Sequence, residues 1–211
     1  MSESPESPYT VSDVMTHTVI AVGRDASFKE IVGLIDQWKV SALPVLEGEG
    51  RVVGVVSEAD LLAKEGVKGD DDKVLDLVER AKAEALTAGE LMSTPAVTVH
   101  ADASVAEAAR IMARRRVKRL PVVDAIGILQ GVVSRSDLLK VFLRPDEEIA
   151  GEIVHSVLTK LPVTTPLSVT VSDGVATLSG SAAERTYMPI VARAVRAVEG
   201  VVDVRLELTH R

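Results

Sequence analysis

The feature that most constrains this chain is an internal repeat: residues 14–62 align on 91–139 without a gap, an offset of 77, with about 18 identities in 49 positions. Two unrelated segments of that length would share only a few, so the chain encodes one structural unit twice. The ends agree best. DASFKEI at 25–31 answers DASVAEA at 102–108, SALPV at 41–45 answers KRLPV at 118–122, and GVVSEADLL at 54–62 answers GVVSRSDLL at 131–139. A duplication of this kind predicts two similar folds arranged as a pseudo-two-fold pair.

Within each copy the apolar period changes twice. Phe28, Ile31, Val32, Ile35 and Trp38 follow Ser27 at helical spacing, and Ser104 with Val105, Ala108, Ile111 and Met112 repeats the arrangement, so each copy carries an amphipathic helix with a serine N-cap. Two short apolar runs come next, 43–46 and 52–56 in the first copy and 120–123 and 127–133 in the second, parted by glycine-containing turns. These read as buried strands. Ser57 and Ser134 then open a short helix bearing an acid three residues on, Asp60 or Asp137, and a Leu-Leu pair. Each unit therefore reads strand, helix, strand, strand, helix.

Composition narrows the function. Cores must be built from Val, Leu, Ile and Ala, because aromatics make up only 2% of the chain. No cysteine is present, and His17, His100, His155 and His210 lie far apart, which leaves no disulfide framework, thiol nucleophile or thiolate metal site. No Ser/His/Asp constellation or phosphate-binding glycine loop stands out, and the expectation is a protein that is not an enzyme and requires no cofactor. The net charge of −7 opposes nucleic-acid binding by the whole surface. The start, MSESPESPYT, lacks the basic and apolar regions of a secretory signal, and no stretch approaches the roughly 18 apolar residues of a membrane span. The expectation is a cytoplasmic protein with a loose tail over 1–9.

A serine at N-cap and an acid in the first helical turn have a plain role for Ser57/Asp60 and Ser134/Asp137, since both satisfy unpaired backbone donors and the helix dipole. A helix start after a buried strand is also where an anionic or polyhydroxyl ligand is held, with an Asp able to accept both hydroxyls of a ribose.

With these landmarks in order, both copies resemble cystathionine-β-synthase (CBS) domains: a leading VMT or LMS, a helix, a strand centred on LPV, then Gly-Val-Val-Ser-x-x-Asp entering the last helix. The resemblance covers 10–64 and 87–143. It implies an α/β module of two β-α-β-β-α repeats whose clefts bind adenosine-containing ligands such as AMP, ADP, ATP, NAD or S-adenosylmethionine, and a homodimer formed through those modules. Carried onto this chain, it makes Asp60 and Asp137 ribose ligands, with Ser57 and Ser134 near phosphate. The adenine of one site would lie near Thr18, Val19 and the segment Val40 to Pro44, which includes Ala42. That of the other would lie near Pro95, Ala96 and the segment Val117 to Pro121. Arg135, opposite the acidic Glu58 in the alignment, makes the second-copy cleft the better place for polyphosphate, with Lys118 or Arg119 assisting.

Arg114 to Arg119 is the densest cationic run of the chain. It closes a helix, where cations suit the dipole, and it lacks the aromatics on which single-strand readers stack bases, so it reads as a solvated face or interface rim. Between the copies, 65–86 reads as a linker with a helix. Its acidic run, Asp70 to Asp72, lacks calcium-loop spacing and gives no metal site.

From 144 to 211 the pattern differs: a helix over 146–161, strands near 167–172 and 175–179, a helix over about 182–198 and a strand over 201–208. Asp173-Gly174 between alternating residues is a two-residue hairpin signal, and Gly200 reads as a left-handed helix cap. VTVSDGVATLSG at 169–180 and VEGVVDVRLEL at 198–208 resemble the BON domain, named for bacterial osmotic-stress and nodulation proteins, which implies a small α+β fold ordered αββαβ and contact with membranes or proteins. The combined expectation is a regulatory sensor that relays adenosyl-ligand occupancy through the BON domain. The alternative is a scaffold that dimerises by its CBS domains and contacts protein or lipid by its BON domain without a ligand.

Overall fold

The computed structural model describes residues 9–66, 84–160, 167–181 and 187–209, in two compact units: 15–135, and 136–211 together with the N-terminal residues to Val14. The expected linker helix with Asp70–Asp72, and most of the expected tail, lie outside the described residues.

The first unit holds both repeats. In the first, β1 (Val22–Gly23) precedes α2 (Phe28–Trp38), then β2 (Ala42–Glu47), β3 (Arg51–Ser57) and α3 (Glu58–Gly66); α1 (Val11–Val14) belongs to the other unit. In the second, α4 (Ala88–Leu91) leads to β4 (Val99–His100), α5 (Val105–Arg115), β5 (Arg119–Val123) and β6 (Leu129–Ser134). Each copy forms its own three-stranded sheet, β1-β2-β3 and β4-β5-β6, with the first pair parallel and the second antiparallel.

The helices start where the sequence places them. The Glu30 N–H donates to Ser27 Oγ at 3.3 Å while Glu30 Oε2 accepts from the Ser27 N–H, a capping box, and Ser104 Oγ accepts from the Glu107 N–H at 3.1 Å. Both helices end on left-handed residues, Lys39 (φ 51°) and Arg116 (φ 55°). Ile31 is fully buried with Leu43, Val45 and Val56, each side chain worth about 1.5–3 kcal/mol of burial. Val32 and Trp38 depart from the expected stripe. Val32 lies about 100° around the helix from Ile31, off its row, and Trp38, in the last turn, stays 52% exposed.

The two sheets exchange their leading segments. Thr16 bridges Val132 of the second copy through two backbone hydrogen bonds (2.9 and 3.0 Å), and Ser93 bridges Val55 of the first (2.9 and 3.2 Å). These pairs are related by the offset of 77. So are the glycines at the hairpin turns, since Leu129 N–H donates to Gly50 O and Val52 N–H to Gly127 O. The pseudo-two-fold relation expected from the repeat is therefore carried by backbone pairing.

In the second unit, α6 (Arg135–Leu139) continues from the repeat into a 3₁₀ turn (Lys140–Leu143), followed by α7 (Asp146–Glu152), β7 (Ser168–Ser172), β8 (Val175–Ser181), α8 (Met188–Arg196) and β9 (Asp203–Thr209). β7 and β8 are antiparallel, β8 and β9 parallel, the expected αββαβ order. Asp173 (φ 51°) and Gly174 (φ 72°) make the anticipated hairpin turn, whose two N–H groups donate to Asp146. The expected single helix over 146–161 is not uniform: α7 widens into a π-helical turn over Ile153–Val157 and then tightens at Leu158–Lys160. Ser156 Oγ and Thr159 Oγ1 donate to the carbonyls four residues back, competing with the helical ladder there. Ile149, Ile153, Leu178, Met188, Val191 and Val195 form the core of this unit.

Candidate functional site

Where β3 passes into α3, Asp60 turns back on the helix start. Its Oδ2 accepts from the Ser57 N–H at 2.8 Å and from the Ser57 hydroxyl at 2.6 Å, so the serine donates to the acid. Asp60 is only 8% exposed. The second copy supplies a third donor, Ser93 Oγ, 3.5 Å from Oδ1. Ser93 reaches this position because the bridge to Val55 lays the leader of the second copy along β3.

A cleft of about 260 Å³ opens here, just under the roughly 300 Å³ at which small-molecule sites begin. First-copy residues Ser41, Ala42, Val55, Ser57, Glu58, Ala59 and Asp60 line it, together with Ser93, Pro95, Ala96, Val97, Arg116, Val117, Lys118 and Arg119 of the second. Arg119, at the start of β5, donates from Nη2 to Ser41 Oγ (2.8 Å) and from Nη1 to Ala42 O (3.4 Å). Ser41 O in turn accepts from the Glu58 N–H at 3.0 Å, which ties the arginine through Ser41 to the first residue of α3. The arrangement places the buried Asp60 carboxylate, the Glu58 side chain, three serines, an apolar stretch and three cations around one cavity.

This grouping corrects the sequence-based assignment. Ser57, Asp60 and Ala42 meet as expected, but Asp60 shares its cleft with Pro95, Ala96, Val117, Lys118 and Arg119, which the sequence reading gave to Asp137. Thr18 is exposed, Val19 and Val40 are half-buried, and none of the three lines this cleft; Pro44 and Pro121 are buried inside β2 and β5. The physical reason is the leader exchange, which carries the segment after Ser93 onto the first copy's sheet. The cationic run is corrected with it. Arg116 to Arg119 turn into the Asp60 cleft, so the electrostatic preference for the Arg135 side does not hold for Lys118 and Arg119. Arg135 instead donates from Nη2 to Val117 O, Ser134 is half-buried at the end of β6, and Asp137 Oδ1 accepts from Lys140 at 2.7 Å. Val55, Glu58, Ala59, Ser93, Val97 and Arg116 were missed, and Ser41 was included only as part of the segment Val40 to Pro44. Only the offset of 77 could have flagged Ser93, as the counterpart of Thr16.

Among the described residues no helix is long and apolar enough to cross a membrane. The CBS domain model matches residues 11–65 and 88–144, and the BON domain model matches 145–210. CBSX2, a chloroplastic CBS domain-containing protein of Arabidopsis thaliana, is 30% identical over 157 residues, covering 66% of each chain. An uncharacterized protein of Methanocaldococcus jannaschii, MJ1426, is 28% identical over 153 residues, covering 63% of this chain and 90% of its own. Among solved structures, CBSX2 in complex with AMP aligns with a TM-score of 0.58 at 32% identity, over 64% of this chain and 97% of that one. Two repeats with exchanged leaders, each bearing the Ser-x-x-Asp helix start, followed by a matched αββαβ segment, make this chain a member of the CBS-domain family with a C-terminal BON domain.

Proposed function

We propose that the chain is a non-catalytic sensor whose CBS pair binds an adenosyl ligand in the Asp60 cleft and relays occupancy through the BON domain. The observation that carries the reading is the buried Asp60 carboxylate, set at a helix start with Ser57 and lining an open cleft. An Asp so placed can accept both ribose hydroxyls if the Ser57 contacts rearrange. The relative that binds AMP, CBSX2, supports an adenine nucleotide as the ligand. Asp137, at the matching position of the second repeat, is the second ribose ligand that the reading implies.

Occupancy regulates only if two arrangements of the protein bind the ligand unequally. Saturation at 100 times the dissociation constant would then favour the better binder by up to about 2.7 kcal/mol. We further propose a homodimer, for which Leu139 (60% exposed), Phe142 (51%) and Leu143 (82%) offer apolar surface. Isothermal titration of the full chain with AMP, ADP, ATP, NAD and S-adenosylmethionine tests the sensor reading, beside Asp60→Ala and Asp137→Ala. Saturable binding lost in one variant supports it and assigns the cleft. Silence across the panel favours the ligand-free scaffold, and a monomer by light scattering removes the dimer.

A further inference from the structure

We infer that the outer edge of β9 is an interface with a second copy of this chain: two β9 strands pair antiparallel about Leu206 and join their three-stranded sheets into one of six strands. The contact uses neither the Asp60 cleft nor the apolar surface of Leu139, Phe142 and Leu143, so it goes beyond the sensor reading and does not rest on it.

β9 ends the sheet order β7-β8-β9, and among the described residues only β8 pairs with it. Its free side presents unpaired backbone N–H and C=O groups along seven residues, a template for another strand. Arg205 and Glu207 are exposed, and among the described residues neither side chain has a hydrogen bond or an ion pair. Leu206 lies between them. Alternation puts it on the face of the buried Val204, yet it stays 44% exposed. An uncovered leucine flanked by two unpaired opposite charges leaves apolar area and charge for a strand partner to satisfy.

The charges select a second β9 as that partner. Leu206 is the midpoint of Asp203–Thr209, so the antiparallel register that overlaps the whole strand sets Leu206 against the partner's Leu206, Arg205 against the partner's Glu207, and Glu207 against the partner's Arg205. Opposite charges directly across a strand pair attract, and like charges repel. Moving the dyad by one residue loses the match. Centred on Arg205, it opposes that arginine to itself and Asp203 to the partner's Glu207; centred on Glu207, it opposes two glutamates. Centred on Val204, it opposes Asp203 to the partner's Arg205 but overlaps only three residues of the strand, and Asp203 already faces Arg196 at 3.9 Å. Charges that merely blunted the edge would serve as well with one sign. The pairing is isologous and closes at two copies. Because opposed side chains share a face, it also takes both Leu206 side chains out of water.

The chain has no cysteine, so Leu206→Cys in the full chain reports the dyad directly. Opposed residues of antiparallel strands have Cβ atoms about 4.5–5.5 Å apart, at the edge of disulfide reach. Leu206→Cys is expected to give a disulfide-linked dimer under oxidised glutathione, and Thr170→Cys, exposed on the opposite edge strand β7, is expected to stay unlinked. Adding Arg205→Glu to Leu206→Cys turns two attractive pairs into two repulsive ones and is expected to slow linkage about tenfold. Adding Glu207→Arg as well is expected to restore it, which a misfolded strand would not do. Absence of linkage at Leu206→Cys, equal linkage at Thr170→Cys, indifference to Arg205→Glu, or a loss that Glu207→Arg fails to restore overturns the pairing. Each of these results leaves the sensor reading standing, and a dimer by light scattering alongside one of them assigns the homodimer to another surface.

Discussion

Met92 packs against Gly54: a methyl placed on that glycine would lie 2.8 Å from Met92 Cγ and 2.9 Å from its Cβ. Met15 stands over Gly131 in the same way, with Sδ 2.7 Å and the Thr16 carbonyl 2.9 Å from the equivalent position. Each methionine leads one repeat and covers a strand of the other, so the glycines let the two copies close on one another.

Gly54→Ala and Gly131→Ala are therefore expected to destabilise the protein by about 1–3 kcal/mol, as overpacking does. Gly131→Ala should cost more, because a bridged backbone carbonyl yields less than a thioether. Urea unfolding of the full chain measures both, and wild-type stability in either variant would count against the close approach.

Asp60→Ala removes the acceptor of the Ser57 N–H and hydroxyl, an exchange worth about 0.5–2 kcal/mol at a helix start. The same variant should weaken adenosyl-ligand binding at least about tenfold, since a ribose would lose its charged acceptor. Thermal unfolding and titration on one preparation separate the two losses; unchanged affinity would remove Asp60 from the site.

Asp146 holds the tip of the β7–β8 hairpin, accepting from Asp173 N–H at 2.8 Å and Gly174 N–H at 2.9 Å. Asp146→Ala should cost about 1–3 kcal/mol and speed hydrogen exchange at those two amides, with Asp146→Asn in between. Unaltered protection at Asp173 and Gly174 would show that the clasp contributes nothing.

At α1, the Thr10 N–H (2.7 Å) and hydroxyl (2.8 Å) both donate to Asp13 Oδ2, and these bonds, the backbone one foremost, hold the Asp13 pKa below the ordinary aspartate value. A depressed folded-state pKa means the contribution is present above the ordinary aspartate range and lost as pH falls through the lowered value. A carboxyl titration by NMR should place Asp13 below exposed aspartates, and Thr10→Ala should move it part of the way back. A midpoint at or above the ordinary value in wild type would contradict the geometry.

Much of the fold was legible because its signals are local. Ser27 and Glu30 sit three apart and cap α2; Asp173 and Gly174 adopt the positive φ values that their residue types tolerate. The widened turn after Glu152 was less legible, since the hydroxyls of Ser156 and Thr159 can leave a helix unperturbed and only their hydrogen bonds show otherwise. At the site, Asp60 and Ser57 were visible as a motif. Their neighbours were not, because Ser93 lies 33 residues beyond Asp60 and no periodicity links the two.

The sequence by itself determined the duplication, the order of strands and helices in each copy, the C-terminal αββαβ unit, and the two aspartates at helix starts. These follow from apolar period, cap chemistry and turn residues, each read within a few positions. The tertiary structure alone decided which leader covers which sheet, and so which residues share a cleft with Asp60. An exact offset is satisfied equally when a leader pairs with its own copy or with the other; the choice falls to long-range packing, in Met92 over Gly54 and Met15 over Gly131.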